Sequence, residues 1–333
     1  MSDLPREFAL IARYFRPLAH KEALGLADDA ALLSPPPGRE LVLTVDAMLG
    51  GVHFLPDDPP DLVARKLLRV NLSDIAAKAA TPLGYLLTIA APHGTKDDWF
   101  AAFAAGLAED QREFGIALLG GDTTATAGPL ALSLTAIGTV EAGRAVLRQG
   151  AAAGHGIWVT GTIGDAALGL AVLRGELADP ILDPASDPTL DPLGHLAQRY
   201  RLPVPRLGLR LADFAAAAMD ISDGLVQDLG HLCRAGSVAA EIEAARVPLS
   251  ASARAAGPAW RPDWLQRCLT GGDDYELLLA VPRAREPVLE KEAARTGLAV
   301  TNIGRFTLGA PGVTVRGADG AAMTFSRPGW SHF

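Results

Sequence analysis

Acidic residues stand where an apolar core would otherwise continue. Asp28-Asp29, Asp46, Asn71-Leu72-Ser73-Asp74, Gly120-Gly121-Asp122, Asp220-Ile221-Ser222-Asp223-Gly224 and Gly271-Gly272-Asp273-Asp274-Tyr275-Glu276 mostly end apolar runs or break into an apolar helical stripe. An unpaired carboxylate is costly to bury in such a place. Two of them about 4 Å apart repel by roughly 1 kcal/mol in water and several-fold more in a less polar site. A fold that gathers these groups needs a counterion, and oxygen-only donors suit Mg2+ or Ca2+ better than zinc or copper.

The periodicities around the acids describe an alternating α/β chain. Apolar residues at helical spacing predict an opening helix from Pro5 to His20 and a second from Asp61 to Ala80, where Val63, Leu67 and Val70 form a stripe whose next position is Asp74. Leu41 to Asp46 reads as a strand ending in a carboxylate. Tyr85 to Ala91 reads as a strand, Lys96 to Phe114 as a helix, Ile116 to Leu119 as a strand running into Gly120-Gly121-Asp122, and Leu130 to Val140 as a longer strand. A small, Gly-rich stretch from Ala142 to Gly156 marks a boundary. The pattern then restarts with a strand at Ile157 to Thr160, a turn at Gly161 to Asp165 and a helix from Ala166 to Arg174. The Pro- and Asp-rich segment from Asp179 to Asp191 reads as a surface loop. Helices are expected at Pro192 to Tyr200, Pro205 to Ala217 and Gly224 to Ala235, and strands at Asp274 to Val281, Val300 to Phe306 and Val313 to Phe325. Two α/β domains follow from this layout, and 333 residues give each a full-sized core.

Charge and cysteine content narrow the partners. A net charge of -8 disfavours a nucleic-acid backbone or an anionic membrane surface, and a phosphorylated small molecule would need metal ions to be held. Cys233 and Cys268 are the only cysteines and have no paired-ligand spacing, so two buried thiols are expected rather than a disulfide framework or a structural zinc. The N-terminus lacks a signal-peptide pattern and no apolar run reaches membrane-spanning length, which leads us to expect a soluble, cytoplasmic protein.

Each motif has a structural alternative. Asp28-Asp29 fits a solvated turn, Asp46 a cap on Gly50-Gly51, and His53 a core histidine beside Phe54. Ser222 or Asp223 could be the N-cap of the following helix, although a cap explains one of the three polar residues there and not all. Gly120-Gly121-Asp122-Thr123-Thr124 could hold a phosphate or its metal, and a tight turn would need the same glycines. Asp74 is the sharpest case, because pairing with Lys78 at i+4 is worth only a few tenths of a kcal/mol. The chain has no Gly-x-x-x-x-Gly-Lys-Ser/Thr loop, no protein-kinase motif set and no local signature of a covalent nucleophile.

In order, the motifs resemble those of the thiamine-monophosphate kinases, in the superfamily of aminoimidazole ribonucleotide synthetase, selenophosphate synthetase and a hydrogenase maturation factor. The resemblance is carried by Phe8 to Phe15, Gly51-Val52-His53-Phe54-Leu55-Pro56, Val70 to Ala77, Leu119 to Thr124, Asp220 to Leu225 and Gly271 to Leu277, and it spans nearly the whole chain. It implies a two-domain synthetase-like α/β (α+β) fold. An N-terminal ATP/Mg-binding domain (1–142) would form a β-barrel interface in a homodimer, followed by a C-terminal α/β domain (150–333). It also implies ATP-dependent phosphorylation of thiamine monophosphate by direct transfer, with no catalytic side chain assigned. Asp29, Thr44, Asp46, Asp74, Asp122, Asp220 and Asp223 would hold several Mg2+ ions. Gly121, Asp122, Arg148 and Ser222 would bind ATP, and His53, Asp273 and Trp330 the acceptor. Three positions depart from the family pattern. Ala27 replaces a glycine, which restricts the turn if a positive φ is needed there; Val45 replaces a hydroxyl residue; and Asp273 replaces a longer Glu. Other readings of the same motifs are another ATP-dependent synthetase of the superfamily and a non-catalytic nucleotide- or metal-binding protein.

Overall fold

The computed structural model describes residues 5–177 and 191–332, in two compact units. The first comprises Met1–Ile75 and Ala80–Arg144, the second Ala76–Ala79 and Ala145–Phe333. Most of the expected Pro- and Asp-rich loop, residues 179–190, lies outside the described residues.

The first unit opens with α1 (Arg6–Leu10), which continues as a π-helical turn over Ile11–Phe15 and a 3-10 turn over Arg16–Leu18, where Pro17 removes a backbone donor. The expected opening helix is thus wound three ways. Four strands follow in the spatial order β1 (Arg39–Leu49), β4 (Ala131–Glu141), β2 (Thr81–Pro92), β3 (Ala117–Thr126). β1, β4 and β2 are antiparallel neighbours, while β3 runs parallel to β2. Helix α2 (Pro60–Ala77) begins on a proline suited to a first turn, and α3 (Asp97–Phe114) carries Asp97 and Asp98 at its positive end and stops at Gly115, φ 65. Leu67, Leu68, Leu72 and Ile75 of α2 are fully buried, and Ile75 packs close against Gly138 of β4. The two helices are joined by a buried ionic network, in which Arg69 binds Asp110 at 2.7 and 2.9 Å and Arg65 binds it at 2.8 Å. On β1, Leu41, Leu43, Val45 and Leu49 remain exposed, as does Leu86 of β2.

The second unit is built on a six-stranded sheet in the order β10 (Gly312–Arg316), β7 (Ala239–Glu243), β9 (Val300–Thr307), β5 (Gly156–Thr160), β8 (Leu277–Val281), β6 (Ala217–Asp220). Only the β10–β7 pair is parallel. Every residue of β5 and β8 is buried, because both faces of the sheet are covered. Ile157, Val159, Leu278 and Ala280 pack with Leu225, Leu229 and Leu232 of α7 (Leu225–Gly236). Trp158, Leu277 and Leu279 pack instead with α6 (Leu211–Phe214) and with Leu289 of α10 (Glu286–Thr296). Helices α4 (Asp165–Leu173), α5 (Pro192–Arg201), α8 (Ala251–Trp260) and α9 (Trp264–Thr270) form a third cluster around Leu168, Leu196, Ala256 and Cys268.

Three sequence expectations are corrected here, the first being the strand expected from Val313 to Phe325, which ends at Arg316 before the turn at 318–319. Gly120-Gly121-Asp122 is not a turn after a strand but the middle of β3. The expected helix from Pro205 to Ala217 is reduced to the single turn α6, and Ala217–Asp220 is a strand. Its alanines favour a helix intrinsically, but pairing beside β8 prevails. Strand β7 and helices α8, α9 and α10 had no counterpart in the sequence reading.

Candidate active site

On the first unit, β1 and α2 bring together three of the expected metal ligands. Alternation along β1 leaves Val45 exposed and turns Thr44 and Asp46 toward partial burial. The Thr44 hydroxyl donates to Asp74 Oδ2 at 2.5 Å. The Asp46 backbone N–H donates to Asn71 Oδ1 at 3.1 Å, and Asn71 is braced through Nδ2 to the Leu67 carbonyl. Asp74 is half-buried at the end of the α2 stripe, the position that its spacing required. Sheet register sets Asp46 in one row with Leu134, Leu87 and Gly121, and Asp122 in the next row with Thr88. Gly121 is glycine for space rather than for φ, since a Cβ there would come within 1.8 Å of the Leu87 carbonyl oxygen. Asp122 and Asp29 are exposed. Asp29 follows a turn with positive φ at Leu24, Gly25 and Leu26, and its N–H donates to Asp28 Oδ1 at 2.8 Å. Ala27 has φ -117, so the missing glycine costs that turn nothing.

His53 sits in a pinned loop next to buried Phe54. The Leu49 N–H donates to its Nδ1 at 3.0 Å, which leaves the ring proton on Nε2. Lys66, almost fully buried in α2, donates to the His53 carbonyl at 2.9 Å.

On the second unit, three segments meet at the turn between β6 and α7. Asp220 is buried at the end of β6, and Ser222 and Asp223 are half-buried in the turn itself. The Ser222 carbonyl accepts from the Asp273 N–H at 2.9 Å, and the Asp223 carbonyl from the Trp330 N–H at 2.9 Å. Gln227 closes the arrangement by donating to the Trp330 carbonyl at 2.6 Å. Two expected acceptor residues therefore hang from one turn that carries two expected metal ligands and Ser222. Arg148 is exposed, and its charge, after burial and Arg234, helps hold the pKa of His231 below the usual histidine value.

The residue that shapes this turn escaped the sequence reading. Asp228 Oδ2 accepts from the backbone N–H groups of Ser222, Asp223 and Gly224 at 3.1, 3.0 and 3.1 Å. Burial pushes its carboxyl up to about 7 against the pull of those amides. An acid in the first turn of an expected helix was the available signal, and it points equally to a surface residue. Asp274 is fully buried, accepts from the Gly164 N–H at 2.7 Å, and burial raises its carboxyl well above the ordinary range.

The donor set on each unit is carboxylate and hydroxyl oxygen, which fits a hard cation of the Mg2+ class. Among the described residues, no three Asp, Glu, His or Cys side chains already gather at metal-binding spacing. No helix among them is long and apolar enough to cross a membrane.

Comparison with known proteins places the chain in a lineage. Residues 27–140 match the family "AIR synthase related protein, N-terminal domain", and residues 152–316 its C-terminal counterpart. The chain is 43% identical to the thiamine-monophosphate kinase of Caulobacter vibrioides, over 98% of this chain and 91% of that protein. The crystal structure of the Stenotrophomonas maltophilia thiamine-monophosphate kinase superposes with a TM-score of 0.81 at 41% identity, covering 96% and 98% of the two chains. AaThiL, solved in complex with AMPPCP and TMP, does so at 0.76 and 30% identity over the full length of both. The chain belongs to the AIR synthase related family and, within it, to the thiamine-monophosphate kinases.

Proposed function

We propose that the chain transfers the γ-phosphoryl group of ATP to the phosphate of thiamine monophosphate, forming ADP and thiamine diphosphate. The observation that carries this reading beyond kinship is the joint attachment of Asp273 and Trp330 to the Ser222-Asp223 turn. An exposed indole and a carboxylate, carried by residues tied to one turn, suit the cationic thiazolium ring of thiamine, which favours an aromatic face and a negative charge. His53 is assigned to the same acceptor.

An ionised phosphate oxygen is already a competent nucleophile, so the chain need supply no general base. What remains is in-line positioning and relief of repulsion between two anions. Gly121, Asp122, Arg148 and Ser222 are assigned to ATP. Thr44, Asp46, Asp74, Asp122 and Asp29 on the first unit, and Asp220 and Asp223 on the second, are the residues that would hold Mg2+. When bound, Mg2+ would neutralise phosphate charge and orient the oxygens. We assign ATP and metal binding and dimerisation to residues 1–142, and the α/β domain to residues 150–333.

A homodimer is part of the proposal. Leu43 and Val45 are 62% and 61% exposed on an edge strand, with Leu41, Leu49 and Leu86 beside them. Such a row is a ready surface for a second copy. A cytoplasmic location is in keeping with two free, buried thiols. Incubating the protein with Mg-ATP and thiamine monophosphate and measuring thiamine diphosphate tests the reading. Binding of Mg-ATP without diphosphate formation would refute it.

A further inference from the structure

Asp273 and Tyr275 both have positive φ, 73 and 51, although neither is glycine. A bulky side chain in that region is a genuine outlier and persists only where its surroundings over-determine it. Here they do. The Asp273 and Tyr275 N–H groups donate to the Ser222 and Ile221 carbonyls at 2.9 and 2.8 Å, and the Ile221 N–H returns a bond to the Glu276 carbonyl at 2.8 Å. The intervening residues are anchored inward. Asp274 binds the Gly164 N–H, and fully buried Glu276 accepts from Arg206 Nε at 2.6 Å, Arg199 at 3.0 Å and the Thr160 hydroxyl at 2.7 Å.

With 274 and 276 locked inside, 273 and 275 are left half-buried on the side of the Ser222 turn. The Tyr275 hydroxyl then reaches Asp273 Oδ1 at 3.3 Å. Asp is one methylene shorter than the Glu of the family pattern, so the direction of its carboxylate matters more. We propose that Tyr275 is a positioning residue for the phosphate acceptor, its hydroxyl fixing the rotamer in which Asp273 meets thiamine monophosphate. This inference rests on the assignment of Asp273 to that acceptor.

Titration calorimetry with thiamine monophosphate, in the presence of AMPPCP and Mg2+, tests it independently of turnover. Tyr275→Phe is expected to weaken acceptor binding about 3- to 10-fold, the effect of one hydrogen bond, with AMPPCP affinity and melting temperature unchanged. In an Asp273→Ala background, which removes the acceptor oxygen, the same change should have no further effect, because the hydroxyl acts through that carboxylate. Unaltered acceptor affinity in Tyr275→Phe, or a loss that multiplies with Asp273→Ala, overturns the proposal. A wild-type chain that binds the ester without turnover fails the kinase reading alone, whereas one that does not bind it overturns both.

Discussion

At the scale of single residues, the tertiary setting decides what each carboxylate is for. Asp74 already holds the Thr44 hydroxyl at 2.5 Å, so its oxygens are oriented before any cation arrives. Asp74→Asn keeps the shape and one acceptor but removes the charge, and should lower kcat by at least about 100-fold with circular dichroism and melting unchanged. Comparable turnover at ordinary Mg2+ would remove Asp74 from the site. Asp274 illustrates a different use of the same side chain. Its carboxyl is harder to ionise in the folded chain than in the unfolded one, because burial penalises the charge. Its contribution to stability is therefore full below the ordinary carboxylate value of about 4 and is lost as pH rises through the folded value. Asp274→Asn cannot titrate, so its melting temperature should gain on the wild type as pH rises from about 4. A difference that stays flat across that range would show that Asp274 is not the titrating group.

Among the elements, β3 best separates what a motif says from what it builds. Gly120-Gly121-Asp122 was legible as special, but a glycine pair permits either a turn or a close approach of backbones, and only the partner strand distinguishes them. Leu87 of β2 lies against Gly121, on a parallel pair whose register slips between Tyr85 and Leu86. Gly121→Ala would force the two strands apart, and we expect a loss of about 1–3 kcal/mol in urea unfolding together with weakened Mg-ATP binding. Wild-type stability in that variant would mean the strands yield more easily than the 1.8 Å approach implies. Strand β6 lacks a local signal for a related reason: its alanines favour a helix intrinsically, and it acquires its conformation from β8. Helices α2 and α3 were read almost to their ends, since amphipathic spacing and first-turn acids are local signals. The Arg69–Asp110 pair between them was not, because it joins residues 41 apart in sequence.

For the molecule as a whole, the exposed apolar row on β1 is the feature with the largest consequence. Leu43→Asp or Val45→Asp should shift the proposed dimer to monomer in light scattering and reduce turnover, while each chain stays folded. A monomeric wild type at micromolar concentration would dismiss the assembly. The sequence by itself determined the two-domain α/β layout and the place of Asp74 at the end of the α2 stripe, because these depend on periodicity, composition and spacing along one segment. Only the tertiary structure decided that Ala27 needs no positive φ, that Gly121 makes room for a neighbouring strand, that Asp228 shapes the Ser222 turn, and that Asp273, Tyr275 and Trp330 share one neighbourhood. Those facts arise from groups distant in sequence meeting at hydrogen-bond or van der Waals range, where no local pattern records the partner.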